Sequence, residues 1–216
     1  TGTGKTAAFG LPLVEHLLTH QGKREPKSVK ALILAPTREL TNQIAENLRT
    51  YVKGSHLRVG TVVGGQSINV QMRFLERGTD ILVATPGRLL DLIDQKAFNL
   101  DGLEILVLDE ADQMLDLGFI HALRKIQQIA PADRQTLFFS ATMPKQIKEL
   151  VKGFCNNPAQ VSVTPQATTA ERVEQYVVMV QQDEKQSLLE LMLKERYEVP
   201  GKFERVLIFT RTKHGA

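Results

Sequence analysis

Two clusters in this sequence have the residue types and spacing for phosphate chemistry. The chain opens Thr1-Gly2-Thr3-Gly4-Lys5-Thr6 and runs on into a helical pattern from Ala7 to His20. Glycines there let the backbone wrap closely round an anion, and amides at a helix start add donors and a positive dipole. Lys5 has the reach for β- and γ-phosphates, and the Thr6 hydroxyl can ligate Mg²⁺. A glycine-rich turn before a helix is the plainer alternative. Pro12 is expected to bend that helix and to carry no chemistry. The second cluster, Asp109-Glu110-Ala111-Asp112, follows the apolar run Ile105 to Leu108 at once. Acidic residues at the carboxyl end of a buried strand sit where ligands bind in open α/β sheets. One carboxylate can hold Mg²⁺ while another orients and deprotonates an attacking water. Asp109 suits the first role and Glu110 the second. Acidic residues favouring a helix start are the alternative reading, which the phosphate loop weakens.

Both clusters need a scaffold, and the hydrophobic pattern describes one. Short apolar runs occur at Ala31 to Ala35, Val59 to Val63, Ile81 to Ala84, Ile105 to Leu108, Thr136 to Phe139 and Val161 to Val163. Most read as strands buried on both faces. Between them Leu40, Ile44, Leu48 and Tyr51 share one helical face, and the segments 112–129 and 144–154 behave similarly. Strand–helix alternation with short connections predicts right-handed βαβ units and an α/β fold with a doubly wound parallel sheet. The uncharged stretch 164–170 suits a linker. After it, 173–180 reads as a strand, 183–197 as a helix and 205–210 as a strand, the opening of a second domain too short to fold by itself.

Composition narrows the class. The chain has 216 residues, 42% hydrophobic and 24% charged, as in an ordinary globular protein. A formal charge of +3 is compatible with nucleic acid without arguing for it. The one cysteine, Cys155, excludes an intrachain disulfide framework and any multi-cysteine metal site. It reads as a small core residue, and His20 and His121 as surface residues. No apolar run reaches the length of a membrane span, and no secretory leader is visible. Together these set the expectation of a reducing, cytoplasmic location. Because the chain opens inside a motif and stops just after an apolar run, a piece of a longer protein is expected.

The spelling Asp-Glu-Ala-Asp after an apolar strand resembles the signature of the DEAD-box ATP-dependent RNA helicases of superfamily 2. Further motifs agree in the family's order. Ala35-Pro36-Thr37-Arg38-Glu39-Leu40 resembles motif Ia, Gly64-Gly65 the GG element, and Thr85-Pro86-Gly87-Arg88 motif Ib. Ser140-Ala141-Thr142 resembles motif III, and Leu207 to Thr212 the motif IV region. The run Thr210 to Ala216 is most similar to the bacterial RhlE-type subgroup. The resemblance implies a RecA-like P-loop NTPase domain over 1–163, a linker over 164–172, and the start of a second RecA-like domain over 173–216. It implies ATP and Mg²⁺ as cofactors, the whole loop Thr1 to Thr6 holding nucleotide, and RNA as a partner gripped without reading bases. No membrane partner is expected.

The nucleic-acid motifs also have a local physical reading. Thr37 can cap the helix that follows it, with Arg38 supplying a cation beside the exposed amides. Thr85 repeats the scheme, with Pro86 at the first helical position and Arg88 behind. Two such sites on one sheet edge would hold a backbone without reading bases, although plain capping explains threonine and proline equally well. Gly64-Gly65 permits close backbone approach or is a turn. The resemblance implies that Ser140 and Thr142 bond the acidic motif and relay nucleotide state, with Asp112 in that network; a strand end satisfied by hydroxyls is the alternative. In the family an arginine finger lies later in the second domain and a glutamine motif lies upstream, so these 216 residues alone are expected to be nearly inactive. Two rivals stay open: an ATP-gated RNA clamp or assembly platform, and a P-loop ATPase acting on DNA or on no nucleic acid.

Overall fold

Five of the apolar runs pair into one parallel sheet. The computed structural model describes residues 4–20, 22, 24–162, 176–194 and 206–210. Strands β1 (Val29–Leu34), β2 (Val59–Val62), β3 (Thr79–Ala84), β4 (Ile105–Leu108) and β5 (Gln135–Phe138) lie in the order β2-β3-β1-β4-β5. Side chains along a strand alternate between faces. Here Leu32, Leu34, Leu82, Ala84, Leu106 and Leu108 enter one core, and Ala31, Ile33, Ile81, Val83, Ile105 and Val107 enter the other. An uninterrupted apolar strand therefore needs cover on both sides, and gets it.

Helices α1 (Lys5–Thr19) and α2 (Arg38–Tyr51) cover the second face through Phe9, Leu13, Leu17, Ile44 and Leu48. The opposite face is covered by α3 (Ile68–Leu75), α4 (Pro86–Asp94), α5 (Ala111–Asp116), α6 (Ile120–Ile129) and α7 (Lys145–Phe154). This is the doubly wound α/β fold expected from the sequence. Cys155 is a free thiol packed against that core. Pro12 is accommodated inside α1.

The register sets up everything that follows. Val62 aligns with Ala84, Ala84 with Leu34, Leu34 with Leu108, and Leu108 with Phe138. All five strands run the same way, so their carboxyl ends stop level along one edge. The next residues of each strand emerge in a row.

Two expectations need correction. The segment 112–129 forms two helices rather than one, because Gly118 between them sits at φ +81°. A left-handed residue ends a right-handed helix. The second concerns the runs after β5. Val161 and Ser162 lie outside any strand, as do 176–180 and 206–210. The chain divides into units Thr1–Gln160 and Val161–Ala216; among the described residues of the second, the one helix is α8 (Lys185–Leu193). Val177, Met179 and Phe209 there are 87%, 91% and 88% exposed. A strand is stable only with a neighbour to pair with and a face to bury, and in 176–180 and 206–210 most of the large apolar side chains stay exposed. Val163, 164–175, 195–205 and 211–216 lie outside the described residues, so the linker and most of the RhlE-like run do too.

Candidate functional site

The level edge brings the sequence-predicted residues together in two groups. Beyond β2, β3 and β1 stand Gly64-Gly65, Thr85 to Arg88 and Pro36 to Arg38. Beyond β4 and β5 stand Asp109 to Asp112 and Ser140 to Thr142. Strand order alone therefore separates a basic half from an acidic half.

The acidic half is built on a bent backbone. Asp109 continues the ladder, its N–H donating to the Leu34 carbonyl at 2.9 Å. Glu110 then takes φ 51° and ψ 51°, a left-handed conformation costly for a residue with a side chain. Two bonds hold it there. The Glu110 N–H donates to Asp109 Oδ1 at 3.0 Å, and the Ala111 N–H donates to the Phe139 carbonyl at 3.1 Å. The turn lets α5 start directly at the strand end and releases Glu110 from burial, while Asp109 stays 4% exposed. Strain stored at such a turn is common at functional sites.

Burial pushes the Asp109 carboxyl above the usual carboxylate range; the Lys5 ammonium pulls it down and the Glu110 carboxylate pushes it up. Lys5 lies at the first turn of α1, after Gly4 at φ 69°. The N-cap residue, Gly4, has no side chain to cap that helix start, and among the described residues a Cβ on it would meet nothing within 4 Å. Thr1, Gly2 and Thr3 lie outside the described residues. Asp109 and Thr6 both offer oxygen, the donor type that a hard divalent cation takes.

This has a measurable consequence. Because the folded pKa of Asp109 is raised, its ionised form opposes folding. The penalty is present at pH above the folded value and vanishes below the unfolded value of about 3.9. Asp109→Asn keeps the acceptor for the Glu110 amide and removes the charge. It is expected to raise Tm at pH 7, with the gain disappearing towards pH 4. An unchanged or lower Tm in a neutral-pH melt would refute it.

Asp112 ties the acidic motif to the segment after β5. Its Oδ2 accepts from the Thr142 N–H and from the Thr142 hydroxyl, both at 2.9 Å. Ser140 Oγ donates to the Thr142 carbonyl at 2.8 Å. Burial alone would raise the Asp112 carboxyl, but the bonds from Thr142, Gln113 and Ser140 together hold it below its ordinary value. One residue before Ser140, the Phe139 ring packs on Phe9 of α1 with centroids 5.4 Å apart. The Lys5 helix, the acidic turn and Ser140 to Thr142 are thereby one contiguous unit.

In the basic half, Thr37 caps α2 by accepting from the Leu40 N–H at 3.2 Å, as its position predicts. Thr85 holds the corresponding place before α4 with Pro86 behind it, yet its side chain makes no capping bond. The expectation of a second threonine cap is corrected. That residue is drawn into the sheet, its N–H donating to the Val62 carbonyl at 3.1 Å. Gly87 and Arg88 follow in the first turn of α4.

Both arginines reach the same turn. Arg38 Nη1 donates to the Gly64 carbonyl at 3.4 Å, and Arg88 Nη1 to the Gln66 carbonyl at 2.9 Å. Gly65 between them has φ 75°, and a Cβ there would collide with Arg38 Nη1. The glycine is required for both reasons. Arg38 is exposed, whereas the Arg88 side chain is 14% exposed and also faces Asp91 at 3.9 Å. Sequence reasoning missed Gln71, which is 5% exposed and donates from Nε2 to the Val63 carbonyl at 3.0 Å. A signal was present: Gln71 stands between Ile68 and Leu75 on the apolar face of α3, where a polar residue is out of place. A groove lined by His16, Glu104, Asp133 and Arg134 opens at the amino ends of β4 and β5, away from this chemistry. Among the described residues no helix is long and apolar enough to cross a membrane.

Comparison with known proteins agrees with this geometry. The model of the DEAD/DEAH box helicase family matches residues 1–150. The chain is 46% identical to RNA helicase CrhR of Synechocystis, over 100% of this chain and 42% of that protein. It is 43% identical to ATP-dependent RNA helicase CshA of Listeria monocytogenes, over 99% of this chain and 39% of that one. Among solved structures, the yeast DEAD-box splicing factor Prp28 superposes with a TM-score of 0.66 at 38% identity, covering 72% of this chain and 38% of that one. A hypothetical ATP-dependent RNA helicase from Sulfolobus tokodaii gives 0.64 at 39% identity, covering 73% and 44%. The chain therefore spans about two fifths of the length of the curated relatives it matches.

Proposed function

Because this chain belongs to the DEAD/DEAH box helicase family, we propose that it forms the nucleotide-binding domain and the start of the second domain of an ATP-dependent RNA helicase. The observation that carries the reading is the division of the level strand edge: an acidic nucleotide half at β4 and β5, and a basic half at β2, β3 and β1. The names of the relatives, RNA helicase CrhR and ATP-dependent RNA helicase CshA, support it.

In this reading the loop ending at Gly4 wraps the ATP phosphates against the first amides of α1, and Lys5 neutralises the β- and γ-phosphates. Thr6 and Asp109 would hold Mg²⁺, which supplies charge neutralisation at the transferring phosphoryl group. Glu110 takes a proton from the attacking water as its oxygen bonds to the γ-phosphorus and the bond to ADP breaks. Asp109 is buried and Glu110 is half-buried, so in this reading the two neighbouring acids serve different tasks. Asp112, Ser140 and Thr142 couple the outcome to the rest of the molecule.

Pro36 to Arg38, Gly64-Gly65 and Thr85 to Arg88 grip the RNA sugar-phosphate backbone independently of sequence. ATP binding strengthens that grip and parts a short duplex locally, and hydrolysis relaxes it. A cytoplasmic location and the RhlE-type subgroup belong to the proposal. The test is whether the full-length protein hydrolyses ATP faster with RNA than with DNA of equal length, and whether it then displaces a strand.

A further inference from the structure

The Gly64-Gly65 turn is held by more than the two arginines. Three carbonyls around it are each bound by a side chain from a different element. Gln71 on α3 takes Val63, Arg38 on α2 takes Gly64, and Arg88 on α4 takes Gln66. Arg38 is exposed, whereas the Arg88 side chain is largely covered. Gln71 approaches from inside, at 5% exposure.

Its amide is unusual in being half satisfied. Nε2 donates to the Val63 carbonyl at 3.0 Å, while the buried Oε1 has no hydrogen-bond partner among the described residues. Turning the amide over would not relieve this, because it would set oxygen against the Val63 oxygen. Buried polar atoms are nearly always paired, and an orphan works against stability. An apolar side chain between Ile68 and Leu75 would fill the same face of α3 without leaving one. The placement makes sense only for what Nε2 does. It fixes the last carbonyl before the glycine pair, so the turn starts from one orientation.

We propose that Gln71 is a positioning residue for RNA binding, acting from beneath the sheet edge by fixing the Val63 carbonyl so that Gly64 and Gly65 present their backbone to an RNA strand. It touches no RNA itself. This inference rests on the reading of Arg38 and the glycine pair as RNA contacts.

The test uses Gln71→Met in the full-length protein, with Arg38→Ala as the reference. Methionine removes the donor and the orphan acceptor together and keeps the volume. One orphan, Oε1, is exchanged for another, the Val63 oxygen, so Tm is expected to stay within about 3 °C. In RNA-stimulated hydrolysis, KM for RNA is expected to rise about fivefold or more, with KM for ATP and kcat at saturating RNA within about twofold. A role in packing alone would lower Tm and leave KM for RNA in place. If Arg38→Ala raises KM for RNA and Gln71→Met does not, the positioning role is wrong while the RNA reading stands. If neither raises it, both are wrong. Should Gln71→Met fail to fold, Gln71→Asn, which keeps the amide and draws its donor back by one methylene, must show the same rise; normal KM for RNA in that variant would overturn the proposal.

Discussion

Replacing Glu110 by glutamine in the full-length protein is expected to lower ATP turnover by at least about 10²-fold while nucleotide still binds. The substitution is nearly isosteric and keeps the bond from the Glu110 N–H to Asp109 Oδ1, which involves only the backbone of residue 110. The left-handed turn therefore survives. What disappears is the carboxylate proposed to accept a proton from water. A second effect favours binding. The Glu110 charge pushes the Asp109 carboxyl up, so its removal lets Asp109 ionise more readily beside Lys5 and a cation. Loss of turnover with retained binding is the signature of a base rather than of a ligand. Near-normal turnover by Glu110→Gln would exclude Glu110 from that role.

Replacing Arg38 and Arg88 together by alanine is expected to weaken RNA binding by about 10²-fold at physiological salt. The two arginines should fail differently. Arg38 is exposed and bonds the Gly64 carbonyl at the long distance of 3.4 Å, which leaves it able to meet a phosphate. Each phosphate contact to a single strand contributes about 0.7 to the slope of log affinity against log salt. Arg38→Ala is expected to flatten the slope by about that amount. Arg88 is largely covered and holds the Gln66 carbonyl at 2.9 Å. Its alanine variant is expected to weaken binding with a smaller change of slope, because it loosens the turn as well as removing charge. A titration of labelled single-stranded RNA over a range of salt separates the two. Unchanged affinity in the double variant would remove this sheet edge from the RNA path.

Much of this arrangement was legible before the fold was seen, and the reasons are local. Apolar runs with helical segments between them specify a parallel sheet covered on both faces, because Leu32 and Ile33 point opposite ways and both must be buried. The acidic strand end and the phosphate loop declare their chemistry by residue type. Thr37 caps α2 where its position says it should. What escaped depends on partners distant in sequence. Thr85 has the same local setting as Thr37, but its neighbour β2 draws it into the ladder. The left-handed turn at Glu110 is imposed by Asp109 on one side and by Phe139 on the other. Residues 176–180 and 206–210 have the composition of strands, yet they lie outside any strand, because composition alone does not fix a ladder. Gln71 was passed over because a polar residue on the apolar face of α3 signals something buried, but its role shows only when the Val63 carbonyl is found opposite it.

The central claim is that ATP binding and hydrolysis at Lys5, Asp109 and Glu110 are coupled to an RNA strand held by Arg38, the glycine pair and Arg88. Strand displacement by the full-length protein on a short RNA duplex with a single-stranded overhang tests this most directly. The account predicts displacement with ATP and Mg²⁺, none without nucleotide, and none by Glu110→Gln under multiple turnover. RNA bound tightly in the presence of ATP, with no displacement at any enzyme concentration, would contradict it and leave a clamp in its place.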